Sequence, residues 1–160
     1  MNQNSREIWR GPSLIDGQQI VVLASGYKRE SVNAKTGDML QVYILHADIS
    51  PLEASQTGAD VSICGQCILR PILVKLARKT GTGNTVPCYV DKVRGPQGVW
   101  KSMKAGNIAQ VTPHEAGILA NKPIRLGAYG DPAAVPVWVW VELLKAANGR
   151  HTAYTHYWRK

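Results

Sequence analysis

The chain contains no phenylalanine, only three cysteines among 160 residues, and no long apolar run. Each scarcity excludes something. Without Phe, aromatic bulk comes from five Trp and six Tyr, side chains whose polar atoms need partners when buried. Three cysteines are an odd count for a disulfide framework and fit reduced thiols in a cytoplasmic setting. The longest apolar stretches, Ile20 to Ala24 and Val135 to Val141, fall far short of a membrane span, so no membrane partner is expected. The opening Met-Asn-Gln-Asn-Ser-Arg-Glu lacks the apolar core of a signal peptide. Acidic residues are also few: 11 against 19 Lys and Arg, a formal net charge of +8. That excess favours polyanionic partners, nucleic acid first. The cations are scattered, with small groups at Lys75/Arg78/Lys79, Lys92/Arg94 and Lys101/Lys104, so the charge also suits simple solubility.

What is present reads as one α/β domain over 18–160, preceded by a polar arm over 1–17 with Gly11-Pro12 and Asp16-Gly17 turns. Strands are predicted at 18–25 and 39–47, the second apolar enough for burial on both faces, with a turn at Thr36-Gly37-Asp38 between them. Ser50, Pro51 and Glu53 form a helix start, and Gly58 its stop. Residues 61–67 read as a cysteine-bearing loop or short strand, 71–79 as a basic helix, and 88–90 as a strand or loop edge. A helical pattern over 97–105 ends at Gly106, and Thr112-Pro113-His114-Glu115 repeats the capping logic. Strand 124–128, helix 135–148 and strand 151–158 make a C-terminal βαβ unit with parallel strands. The fold class is therefore α/β: a small mixed, mostly parallel sheet with flanking helices, open or part of a barrel.

Four constellations carry candidate chemistry. Cys64-Gly65-Gln66-Cys67 sets two sulfurs on one side of a turn, with Cys88 as a third thiol. Such a set suits zinc or an iron–sulfur cluster, with His46, His114, Asp131, His151 or His156 as the remaining ligand. Ordinary buried cysteines, or a redox dithiol, are the alternative. Second, Gly127, Gly130 and Asp131 lie at the carboxyl end of a predicted parallel strand, where α/β folds collect ligand sites; turn chemistry around Asp131-Pro132 explains the same residues. Third, Thr152, Tyr154 and His156 share one face of the last strand, and His156 and Asp131 would line one mouth; a histidine satisfied at a sheet end is the alternative. Fourth, Gly95-Pro96-Gln97-Gly98-Val99-Trp100-Lys101 reads as a phosphate-cradling loop or, more simply, as a helix-entry turn. No Ser-His-Asp order and no pair of catalytic carboxylates stands out.

The stretches KTGDMLQVYIL (35–45), ISPLEASQTGADVSICGQC (49–67), CYVDKVRGPQGVWKSMKAG (88–106), RLGAYGDPAAVP (125–136) and YTHYW (154–158) together resemble a family of uncharacterised phage and bacterial cysteine-containing proteins, a domain of unknown function. The resemblance spans roughly residues 20–158 and extends distantly to part of a radical-SAM-like barrel, although the cysteine spacing of that chemistry is absent. It implies phage or mobile-element origin and metal binding through Cys64, Cys67 and Cys88, with Tyr89 completing the Cys-Tyr pair. Ile68-Leu69 stand where the family has Pro-His, so one possible ligand is missing. A partial barrel has open sheet edges, which makes a homo-oligomer a reasonable expectation. Function on this basis divides three ways: a non-enzymatic metal-stabilised module contacting nucleic acid or a host protein that handles it, a metal- or cluster-dependent enzyme, or an inhibitor of host defence.

Overall fold

The computed structural model describes residues 4–30 and 37–157. Six strands form one sheet among the described residues: β1 (Ser5–Pro12), β2 (Gln19–Ser25), β3 (Leu40–His46), β4 (Ala109–Gln110), β5 (Ile124–Tyr129) and β6 (His151–Ala153), in the order β4-β1-β2-β3-β5-β6. The β1–β2 and β2–β3 pairs are antiparallel, and β1–β4, β3–β5 and β5–β6 are parallel. The sheet is thus mixed and mostly parallel, and it stays open rather than closing into a barrel. Its edges are the two- and three-residue strands β4 and β6, which leave few backbone groups unpaired.

Around the sheet lie α1 (Pro51–Thr57), α2 (Val61–Cys64), α3 (Pro71–Thr80), α4 (Pro96–Lys104), α5 (Pro113–Leu119) and α6 (Val137–Ala146). Ile20 to Ala24 of β2 are all inaccessible, so side chains on both faces of this strand are covered. α1, α2 and α4 pack on β3, whereas α5 packs on β1 and on α6. No helix among the described residues is long and apolar enough to cross a membrane.

The local signals behave as their chemistry dictates. The Ser50 hydroxyl accepts from the Glu53 N–H at 3.3 Å. Thr112 and Glu115 form a complete capping box at the start of α5. The Gly95–Lys101 segment is a helix entry: Gln97 is buried, and Trp100 Nε1 donates to the His46 carbonyl at 3.0 Å. The expected βαβ unit is present, with Ile124, Arg125 and Leu126 of β5 opposite His151, Thr152 and Ala153 of β6.

Four expectations are corrected. Within the expected polar arm, Ser5–Pro12 form β1, a strand inside the sheet. Its Ser5 and Glu7 are buried with their polar atoms satisfied: Ser5 Oγ bonds Ser25 Oγ at 2.9 Å, and the Glu7 carboxylate accepts from Arg10 at 2.8 and 2.9 Å. A register shift between Glu7 and Trp9 breaks the alternation that would have marked the strand. Within 61–67, expected as a loop or short strand, Val61–Cys64 form a short helix and the turn follows it. The 135–148 helix begins only at Val137, because a 3₁₀ turn over Pro132–Ala134 takes up the preceding residues. The last strand stops at Ala153, since Thr155 and His156 bond the Asp131 carboxylate instead of a neighbouring strand. Thr36 and Trp158 lie outside the described residues.

Gly117 sets the approach of α5 to α6. A methyl group there would collide with the Leu143 carbonyl oxygen and stand 2.7 Å from the Ala146 methyl. Gly117→Ala is expected to cost about 1–3 kcal/mol in denaturant unfolding. Gly98→Ala in α4, where nothing lies within 4 Å, is expected to be neutral or to stabilise by about 0.5 kcal/mol.

Candidate metal centre and adjoining groove

α2 ends at Cys64, and its backbone N–H donates to the Asp60 carbonyl at 2.8 Å. The chain then turns through Gly65, at φ 53°, and the Cys67 N–H donates back to the Cys64 carbonyl at 3.2 Å. A side chain on Gly65 would occupy the space taken by the Tyr157 ring and hydroxyl, so the positive φ and the C-terminal segment together require glycine. The turn is fixed from outside by Arg70. Its guanidinium bonds Asp60 Oδ1 at 2.8 and 2.9 Å, the Gly65 carbonyl at 3.1 Å and the Gly58 carbonyl at 2.6 Å. Both charged partners are buried.

Cys88 lies in an irregular segment. It reaches the same place because its N–H donates to the Leu69 carbonyl at 2.9 Å, while Asn84 Nδ2 bonds the Ile68 carbonyl at 3.2 Å. The third wall comes from the end of β5. There Gly127, Tyr129, Gly130 and Asp131 face Tyr154 and His156 across one cavity with Cys64, Cys67 and Cys88. All eight residues singled out as site residues from the sequence (Cys64, Cys67, Cys88, Gly127, Gly130, Asp131, Tyr154 and His156) therefore line a single cavity of about 90 Å³. That volume holds several water-sized groups and is well below the roughly 300–1,000 Å³ of a usual organic-ligand pocket.

Their roles differ in detail from the sequence expectation. The carboxylate of Asp131, 4% exposed, is already engaged: Oδ1 accepts from Thr155 Oγ1 at 2.7 Å and from the Ala133 N–H at 2.9 Å, and Oδ2 accepts from the His156 N–H at 2.7 Å. The close approaches permitted by Gly127 and Gly130 are made by the protein itself: a Cβ would stand 2.7 Å from the Gly130 carbonyl oxygen in one case and from Ile44 in the other. Three of the five ligand candidates lie elsewhere. His46 Nδ1 accepts from the Asp48 and Ile49 N–H groups, His114 stands 3.7 Å from Glu142, and His151 Nδ1 lies 2.7 Å from the Gly149 carbonyl. Only Asp131 and His156 share the cavity with the cysteines.

Sequence reasoning missed Tyr129. Its side chain is 3% exposed, lines the cavity, and is the one buried side-chain polar group without a hydrogen-bond partner among the described residues. A phenylalanine would fill the space without orphaning a hydroxyl, so the phenol adds a polar group to the cavity wall. Burial, and then the neighbouring Cys64, push its ionisation far above the ordinary value. Burial likewise pushes the Cys64 thiol well up, helped by the negative charge of Asp60, and raises Cys67.

The donor set suits a thiophilic metal, since three sulfurs surround a small apolar cavity. Among the described residues no three His, Cys, Asp or Glu side chains stand in a metal-ligand arrangement, so binding would require the sulfurs to draw together. Beside the cavity, and sharing Tyr89, Tyr154 and His156 with it, runs an open groove of about 640 Å³ that also includes Arg125.

Two outcomes follow from these interactions. Arg70→Leu strands the buried Asp60 charge and is expected to cost about 3–5 kcal/mol in chemical denaturation. The raised thiol pKa values mean that the folded, metal-free protein holds protons the unfolded chain releases. Their stabilising contribution is complete below about pH 8.5 and is lost as pH climbs through the raised values. In chelator and reductant, the melting temperature is expected to fall from pH 7.5 to pH 10, and less steeply in the Cys64→Ser/Cys67→Ser variant.

No protein-family model, no curated protein and no solved structure matches the chain, so the reading of this site rests on its own residues.

Proposed function

We propose that the protein is a metal-binding module of phage or mobile-element origin that holds zinc or an iron–sulfur cluster through Cys64, Cys67 and Cys88 and contacts nucleic acid, without being an enzyme. One observation carries the metal: three thiols from two parts of the chain line one small cavity, together with a buried hydroxyl that has no partner among the described residues. The metal would supply a cross-link between the 61–67 turn and the 85–90 segment, which no regular secondary structure joins. A site of about 90 Å³ suits a single ion. His156 is the cavity residue left to complete the ligand set, because the Asp131 oxygens are taken by hydrogen bonds. That engagement also favours a binding role over an enzyme using Asp131 as an acid or base. Contact with nucleic acid is supported by the net charge of +8. The host-defence reading has only the phage resemblance behind it.

Elemental analysis of protein purified without oxygen tests the metal. About one equivalent of zinc, or iron with sulfide and a brown colour, is expected, and Cys88→Ser is expected to remove it as completely as Cys64→Ser. Metal retained in full by Cys88→Ser, or absent from the native protein, refutes the three-thiol centre. Nucleic-acid binding should weaken steeply with added salt; an affinity that is the same at low and high salt refutes phosphate contact.

A further inference from the structure

Tyr89 and Tyr154 are 76% and 75% exposed, large aromatic rings that the core does not bury. Both face the open groove beside the cysteine cavity. Each comes from a different part of the chain. Tyr89 follows Cys88, which is tied by its N–H to Leu69, and Tyr154 follows the last residue of β6. Arg125, opposite Thr152 in the β5–β6 ladder, lies between these segments, and its Nη2 donates to Tyr89 Oη at 3.3 Å. No carboxylate pairs with Arg125 among the described residues, so most of its donors are available. The groove volume of about 640 Å³ is in the range of a nucleotide-sized ligand, unlike the cysteine cavity.

We infer that this groove binds single-stranded nucleic acid, with unpaired bases stacking on Tyr89 and Tyr154 and Arg125 contacting a backbone phosphate. Two accessible rings and a guanidinium with no carboxylate partner among the described residues match a ligand that alternates flat π-faces with negative charges. A duplex hides its base faces in its own stack and offers only phosphates to such a surface, so it gains nothing from the tyrosines. A protein ligand would have to supply its own acidic group for Arg125, and the overall charge of +8 adds attraction for phosphates at every approach. The inference rests on the nucleic-acid half of the reading above and is independent of the metal.

The test is fluorescence anisotropy on the full chain, at matched metal content, with a labelled oligothymidylate of about 12 nucleotides and a duplex of equal length. The single strand is expected to bind at least about tenfold more tightly than the duplex. Tyr89→Ala and Tyr154→Ala are each expected to weaken it about tenfold, while Tyr89→Phe and Tyr154→Phe retain stacking and stay close to wild type. Arg125→Ala should lower the salt slope by about one phosphate. Since both tyrosines are exposed, unchanged melting temperatures in the alanine variants would confirm that folding is intact. Salt-dependent binding that prefers duplex, or that both alanine variants retain in full, overturns the groove while leaving general nucleic-acid contact standing. No binding to either oligonucleotide at low salt overturns both and leaves the groove to a protein or small-molecule ligand.

Discussion

The buried carboxylate of Asp131 is the point on which the candidate site turns. Its two oxygens accept from its own turn and from Thr155 and His156, and its backbone N–H donates to the Ile63 carbonyl at 2.6 Å. One residue therefore joins the end of β5, the helix carrying Cys64 and the segment after β6. A carboxylate withdrawn from water needs several donors, and it receives three. Without it the C-terminal segment would have no reason to leave the sheet, and Tyr154 and His156 would not face the cysteines.

The Arg70–Asp60 pair does the corresponding work on the opposite wall. An isolated charge at either position would be costly, but the guanidinium also bonds two backbone carbonyls, so its donors are used within the turn it braces. The thiols are held in place by these polar anchors, not by a regular ladder, and burial raises the ionisation of Cys64 and Cys67 above the ordinary thiol value. Such a cavity is shaped in advance on two sides and loosely tethered on the third, where Cys88 hangs from one main-chain bond.

Much of this was legible in the sequence where the chemistry is local. The apolar runs of β2 and β3, the Ser50 and Thr112 caps and the β5-α6-β6 unit follow from patterns of neighbouring residues. The convergence of Cys64, Cys67, Cys88, Asp131 and His156 on one cavity could be anticipated from residue types and the parallel-strand geometry. β1 was hidden because its buried residues include Ser5 and Glu7, whose side chains are satisfied by Ser25 and by Arg10 and Gln110. Asp60 and Arg70 carried no recognisable spacing, and Tyr129 stood inside a flagged stretch whose Gly and Asp residues drew the reading. Each of these depends on tertiary partners, which periodicity does not record.

The contact of Tyr157 with Gly65 sets an order of events during synthesis. Cys64, Cys67 and Cys88 all leave the ribosome well before residue 157 does, and until then the glycine turn lies bare. The nascent chain therefore passes through an interval in which its thiols are open to oxidants and to stray ions. The wall that Tyr157 contributes therefore closes over the cysteine turn only after the turn itself has emerged.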